Sequence, residues 1–227
     1  METLGDGSFR DLTVAELGEK LASSDPVPGG GSASAVTASL AASLVAMVAT
    51  LSQGRPKYAD HGALHEMAIP TAKKLARDLL DLADEDATAY AACAFALKLP
   101  RDAFADKEFR DQQVKATALV AAEVPLRCVE RCRELLVLAE ALAGRSNMNA
   151  SSDLRVAALL TDAAGKGAAE NVLVNLPLIG STEWTQAAEK RVRLLLGEIA
   201  SLKDRVHDIV VSGELREPLD AMPEVAA

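Results

Sequence analysis

The chain has 227 residues, a formal net charge of −9 and aromatic side chains at only 3% of positions. That length suffices for one domain with a substantial core, expected here to be a single helical unit over 1–227. The acidic balance, with no basic patch, excludes non-specific nucleic-acid binding, and the scarcity of aromatics excludes a base-stacking platform.

Three cysteines, an odd number, point to free thiols rather than a disulfide framework. No charged n-region precedes an apolar h-region, so a cytoplasmic location is expected. In chain order, Thr13-Val-Ala-Glu16 reads as a capping box opening a short helix that stops between Ser23 and Pro28. Residues 26–54 carry no charged side chain and begin with Pro28-Gly29-Gly30-Gly31-Ser32 before an Ala/Ser/Val/Leu run. The glycines can approach a neighbour closely or take positive φ, and the helix after them offers unpaired N–H groups to an anionic or electron-rich ligand. The alternative is a flexible turn with Ser32 as N-cap.

The run from Ser32 to Leu51 is long enough to cross a bilayer, but small residues dominate it and no aromatic belt or Lys/Arg cluster flanks it. Gly31, Ala35, Ser39 and Ser43 recur at four-residue spacing, so the segment reads as the central buried helix of a soluble bundle, with no membrane partner. After Gly54-Arg55-Pro56-Lys57 a helix is expected from about Ala59 to Leu97, kinked at Pro70. His61 and His65 in it read as a solvated face. Lys98 to Asp106 reads as a loop, Lys107 to Ala143 as a helix bent near Pro125, and the segment from Ser151 or Ser152 to about Asn175 as another. Cys128 and Cys132 read as small buried side chains rather than metal ligands. Pro177 to Ser181 reads as a turn, and Thr182 to Val211 as a last amphipathic helix. The core spans about 12–212, and the tail from Gly213 is expected to fray. No segment alternates with period two, so the fold class is all-α, a multihelical bundle.

Polar groups among small apolar ones are the site candidates, because burying them unpaired costs about 1–3 kcal/mol each. Asp86 and Tyr90 lie one turn apart. Asp153 follows Asn147-Met148-Asn149 at the start of a helix, where it could equally serve the helix dipole. Asn171 and Asn175 share a face across apolar residues, and Lys98 opens the loop after the Asp86 helix.

Seven segments, in order, carry a family resemblance: Pro26-Val-Pro-Gly-Gly-Gly-Ser32, Gly54-Arg-Pro-Lys-Tyr58, Asp84-Glu-Asp-Ala-Thr-Ala-Tyr90, Lys98-Leu-Pro100, Val124-Pro-Leu126, Asn149-Ala-Ser-Ser-Asp-Leu-Arg-Val-Ala-Ala158 and Asn171-Val-Leu-Val-Asn175. With them the chain resembles the cyclodeaminase/cyclohydrolase family of one-carbon folate enzymes over about residues 12–205. The resemblance implies an intertwined all-helical homodimer with a folate pocket near the dimer interface, no metal and no organic cofactor. It implies methenyltetrahydrofolate cyclohydrolase activity or, alternatively, formiminotetrahydrofolate cyclodeaminase activity; a non-catalytic folate-binding or structural dimer is the reading from another class. Asp86 and Asp153 would be the carboxylates, one stabilising an amidinium cation and one moving a proton. Lys98 would act as acid, base or substrate-carboxylate contact. Pro28, Gly29, Gly30, Gly31, Ser32, Tyr90, Asn149, Asn171 and Asn175 would bind the substrate.

Overall fold

Thr13 caps the first helix as its sequence predicts: its hydroxyl accepts from the Glu16 amide at 3.2 Å, and Glu16 accepts from the Thr13 amide at 2.7 Å. In the computed structural model, which describes residues 8–225, six α-helices follow in order: α1 Val14–Leu21, α2 Gly30–Ser52, α3 Gly62–Leu97, α4 Phe104–Leu142, α5 Ser151–Ile179 and α6 Glu183–Ser212. No strand occurs among the described residues, in keeping with the all-α expectation.

Helices α2 to α5 form an up-down-up-down four-helix bundle, with α6 laid against α4 and α5. The registers are fixed by small hydroxyls. Ser32 and Ser39 of α2 donate to the Ala83 and Ala76 carbonyls of α3 at 3.2 and 2.8 Å, so the two helices run antiparallel. On the other side of α2, Gly30 faces Asn171 of α5, while Ser52 accepts from the Asn147 amide at 2.7 Å; α5 is therefore antiparallel to α2 as well. Alanines at the contacts (Ala35, Ala38, Ala42, Ala83, Ala168) allow close approach, and Leu79, Leu135, Leu138, Leu154, Leu195 and Ile199 fill the centre.

Several expectations need correction. The second helix is buried on only part of its circumference: Leu40, Met47 and Leu51 stay exposed, and neighbouring α5 exposes Val156 and Val174. His61 and His65 are buried, not solvated, because the 3₁₀ turn Pro56–His61 rolls them inward. Helix α5 runs through Pro177 to Ile179, and its N-cap is Ala150 rather than a serine. Helix α4 starts three residues early, at Phe104. The tail after Gly213, expected to fray, lies against the body through an Arg216 amide bond to the Gly144 carbonyl at 2.9 Å.

Since Ala83 stands opposite Ser32, residues 87–97 of α3 run about three turns past the start of α2. With the first turns of α4 they make an arm carrying exposed Tyr90, Phe95, Phe104 and Phe109.

Candidate functional site

The N-cap of α2, Gly29, has no side chain to satisfy the first-turn amides, and Asp86 of α3 supplies the missing acceptor. Its Oδ2 accepts from the Ser32 hydroxyl at 2.9 Å, and the carboxylate also accepts from the Ser32 backbone N–H. Ser32 is thus the third residue of the helix, not its cap. Burial pushes the Asp86 carboxyl above its ordinary value, and the two Ser32 bonds partly oppose that.

The glycine run serves this contact. A Cβ at Gly31 would lie 2.6 Å from Asp86 Cγ, too close for any side chain, and one at Gly30 would meet Asn171 Nδ2 at 3.5 Å. Of the two freedoms that glycine offers, close approach is the one used and positive φ is not: Gly29, Gly30 and Gly31 are absent from the four described glycines that adopt it, and Gly29 has φ −119°. Pro28 is buried after a cis Val27–Pro28 peptide.

Asn171 Nδ2 donates to the Gly167 carbonyl at 2.8 Å. Asn175 is buried, and its amide nitrogen donates to Ala121 O at 3.0 Å and Asn171 O at 2.8 Å. The first of these bonds has a clear cause. Pro125 of α4 has no N–H to give to the carbonyl four residues back, and Asn175 fills that vacancy. The Asn175 nitrogen is therefore committed to backbone, leaving its Oδ1 as the atom with capacity for a ligand.

Asp86, Gly30, Gly31, Ser32 and Asn171 form one group. Asp153 and Asn149 belong to another, at the far end of α2. Taking the α2–α5 register and 1.5 Å per residue, Asp153 lies about 25 Å from Asp86 within one chain. This second group is built on the turn from Gly144 to Asn149. Asn147 caps the 3₁₀ turn Met148–Ala150 through its side chain, and the Met148 amide donates to the buried Tyr58 hydroxyl at 3.0 Å. Asp153 stands in the first turn of α5, half-buried, and Asn149 is exposed. Lys98 caps the end of α3 at the tip of the arm, exposed, about 18 Å along the helix from Asp86. Tyr90 is exposed on the same arm. One chain thus does not bring the three expected catalytic residues together.

A cleft of about 1010 Å³ lies between α3 and α4 and is lined by Glu85, Ala89, Val120, Glu123, Arg127 and Trp184 among others; none of the expected site residues lines it. Sequence reasoning did not select Ser52, Tyr58 or Asn147. Tyr58 did stand within one of the motif segments, but its role depends on a turn ninety residues away.

The chain is thus a four-helix bundle with a carboxylate seated on the start of α2 and a second polar turn at the opposite end. A family model described as formiminotransferase-cyclodeaminase matches residues 13–194, and the chain belongs to that family. It is 34% identical over 200 residues to a methenyltetrahydrofolate cyclohydrolase of Methylorubrum extorquens, covering 88% of this chain and 96% of that one. It is 32% identical over 197 residues to the formimidoyltransferase-cyclodeaminase of Rattus norvegicus, covering 87% of this chain but 36% of that longer protein. The crystal structure of formiminotetrahydrofolate cyclodeaminase from Thermotoga maritima superposes with a TM-score of 0.81 at 25% identity, covering 89% of this chain and 98% of the other.

Proposed function

We propose that the protein is a 5,10-methenyltetrahydrofolate cyclohydrolase, interconverting the methenyl and 10-formyl forms. The observation that carries this reading is Asp86, a carboxylate kept in a partly dry setting at the helix start, with the likeness to the Methylorubrum cyclohydrolase over nearly the full length of both chains. Water attacks the cationic carbon between the five- and ten-position nitrogens, and Asp86 takes a proton from it. The tetrahedral intermediate then loses its hydroxyl proton as the five-position nitrogen gains one. The bond from that nitrogen to the carbon breaks, leaving the formyl group on the ten-position nitrogen. A base whose pKa is raised toward the working pH suits both transfers. Asp153 counters the cation, Asn149, Asn171 and the Asn175 Oδ1 hold the pterin edge, and Lys98 meets the substrate's carboxylate end. Water, a base and a counter-charge suffice, so the reading assigns no metal or organic cofactor.

The two residue groups act together when two copies pair. The supporting observations are the bare face of α2, which has no charged residue over its length, and the placement of the groups at its opposite ends. A two-fold axis crossing the middle of α2 sets Asp86 of one subunit beside Asp153 of the partner subunit, giving two identical composite sites. Three free, buried thiols fit a reducing cytoplasmic location.

The test is absorbance of methenyltetrahydrofolate with purified protein. Accelerated loss of the supplied compound supports the reading. Its appearance only from formiminotetrahydrofolate, with ammonia released, makes the protein a cyclodeaminase, and silence in both assays leaves a binding or structural bundle.

A further inference from the structure

The turn from Gly144 to Asn149 is clamped from two sides. From inside, His65 Nε2 bonds the Arg145 carbonyl at 2.9 Å, Ser52 Oγ accepts from the Asn147 amide, and the Tyr58 hydroxyl accepts from the Met148 amide. From outside, the chain beyond α6 crosses the turn as a strap. Arg216 donates its backbone amide to Gly144 O, and its guanidinium reaches Glu140 O at 3.0 Å, Ala143 O at 3.3 Å and the Glu140 carboxylate at 3.2 Å. Arg145 returns the contact, donating from Nε to the Glu217 carbonyl at 2.6 Å and from Nη1 to Ala141 O.

Of the last carbonyls of α4, Ala141 O is taken by Arg145 and Glu140 O is shared between the Ala143 amide and Arg216, while Ala143 O and Gly144 O, just past the helix end, also go to Arg216. Arg suits the task because its planar fork serves several acceptors at once, which a Lys ammonium does less well. Gly144 has φ +71°, and a Cβ there would meet Arg216 Cγ at 2.9 Å, so the turn is shaped to receive this one side chain. The Glu140 carboxylate also holds Arg205 of α6 at 2.6 Å, so one side chain ties both the helix and the strap to α4, and Leu219 packs against the core beyond it.

We propose that Arg216 is a positioning residue: by holding the strap against the end of α4 and the Gly144–Arg145 start of the turn it sets the placement of Asn149 and Asp153 at the composite site. This rests on the cyclohydrolase reading for its kinetic arm only. A shift of about 1 Å in a catalytic group costs up to about a hundredfold in rate, so loosening the turn acts on turnover before it acts on folding.

The experiment compares the full-length protein with Arg216→Ala, Arg216→Lys and a chain ending at Gly213, using Ile199→Val in α6 as a control of modest destabilisation. Amide exchange at residues 147–149 and steady-state kinetics with methenyltetrahydrofolate are both read. The expected result is exchange at Met148 and Asn149 about tenfold faster in Arg216→Ala and in the truncated chain, with kcat down about tenfold and KM changed less than about twofold. Arg216→Lys recovers part of both, and Ile199→Val changes neither. Unchanged exchange at 147–149 in the truncated chain overturns the proposal. So does a fall in kcat that Ile199→Val reproduces. An inactive full-length protein sinks the cyclohydrolase reading instead, and the exchange arm still decides whether the strap sets the turn.

Discussion

The two ends of α2 solve different problems with the same parts. At the Gly30 end, a helix start without its own cap borrows a carboxylate from α3, and glycine lets that carboxylate come within contact of backbone. At the Ser52 end, the Ser52 and Tyr58 hydroxyls and the His65 imidazole, from three segments, tie down a turn, and the carboxylate of that group stands on the following helix. One end keeps a charge partly dry, which changes its chemistry; the other fixes geometry. If both ends serve one active site, as proposed, that site needs two chains.

Asp86→Asn breaks the first end most directly. It preserves shape and still accepts from Ser32, so the fold should survive while kcat falls by about 10²–10⁴, the usual weight of a general base. A fall of less than about threefold would remove Asp86 from the reaction. The separation of the ends is tested by coexpressing Asp86→Asn with Asp153→Asn subunits. If the sites are shared across a two-fold axis, random pairing restores about one quarter of wild-type turnover, because half the dimers are mixed and each holds one intact site. No recovery from chains that demonstrably pair would place both carboxylates within one subunit's site or outside the reaction.

Gly31→Ala sharpens the same contrast. The added methyl meets Asp86 and must displace it, so stability should drop by about 1–3 kcal/mol in chemical denaturation, with turnover falling alongside. Gly62→Ala, where an added Cβ meets nothing within 4 Å, should do neither. Asn175→Ala leaves the Ala121 carbonyl without its donor and should cost about 1–3 kcal/mol. Adding Pro125→Ala supplies an N–H to that carbonyl, and a double-mutant cycle should return about 1 kcal/mol of coupling.

The smallest effect is on stability against pH. Asp86 titrates in the fold above its ordinary value of 3.8, so below 3.8 both folded and unfolded chains are protonated there and no burial penalty exists. As pH rises past 3.8 the unfolded chain ionises first and stability drains away until pH exceeds the folded pKa. Asp86→Asn should therefore raise Tm at neutral pH, and the gain should vanish below pH 3.8. A gain that persists there would mean the ionised carboxylate is not the cause.

Much of this was legible in the sequence. The bundle, the Thr13 cap and the span of α2 follow from periodicity and capping chemistry, which are local, and the free cysteines from their odd number. The importance of Gly31 was legible, but its reason was not: the partner is Asp86, 55 positions away, brought in by a register that two serine hydroxyls define. His65 and Tyr58 escaped for the same reason, since each answers to the 144–149 turn. Arg216 gave no signal because an irregular tail has no period to read.

The bare side of α2 is less polar than its hydroxyl residues suggest. Thr37, Ser43 and Thr50 each donate their hydroxyl to a carbonyl four residues back in the same helix, at 2.8 to 3.0 Å. Written as letters these positions look hydrophilic. As atoms, their donors are already spent, and what meets a neighbour is mainly methyl and methylene. The bare side of the helix is therefore oilier than its composition admits, so a serine-to-alanine change there leaves it nearly as it was, while one aspartate would make it a different surface.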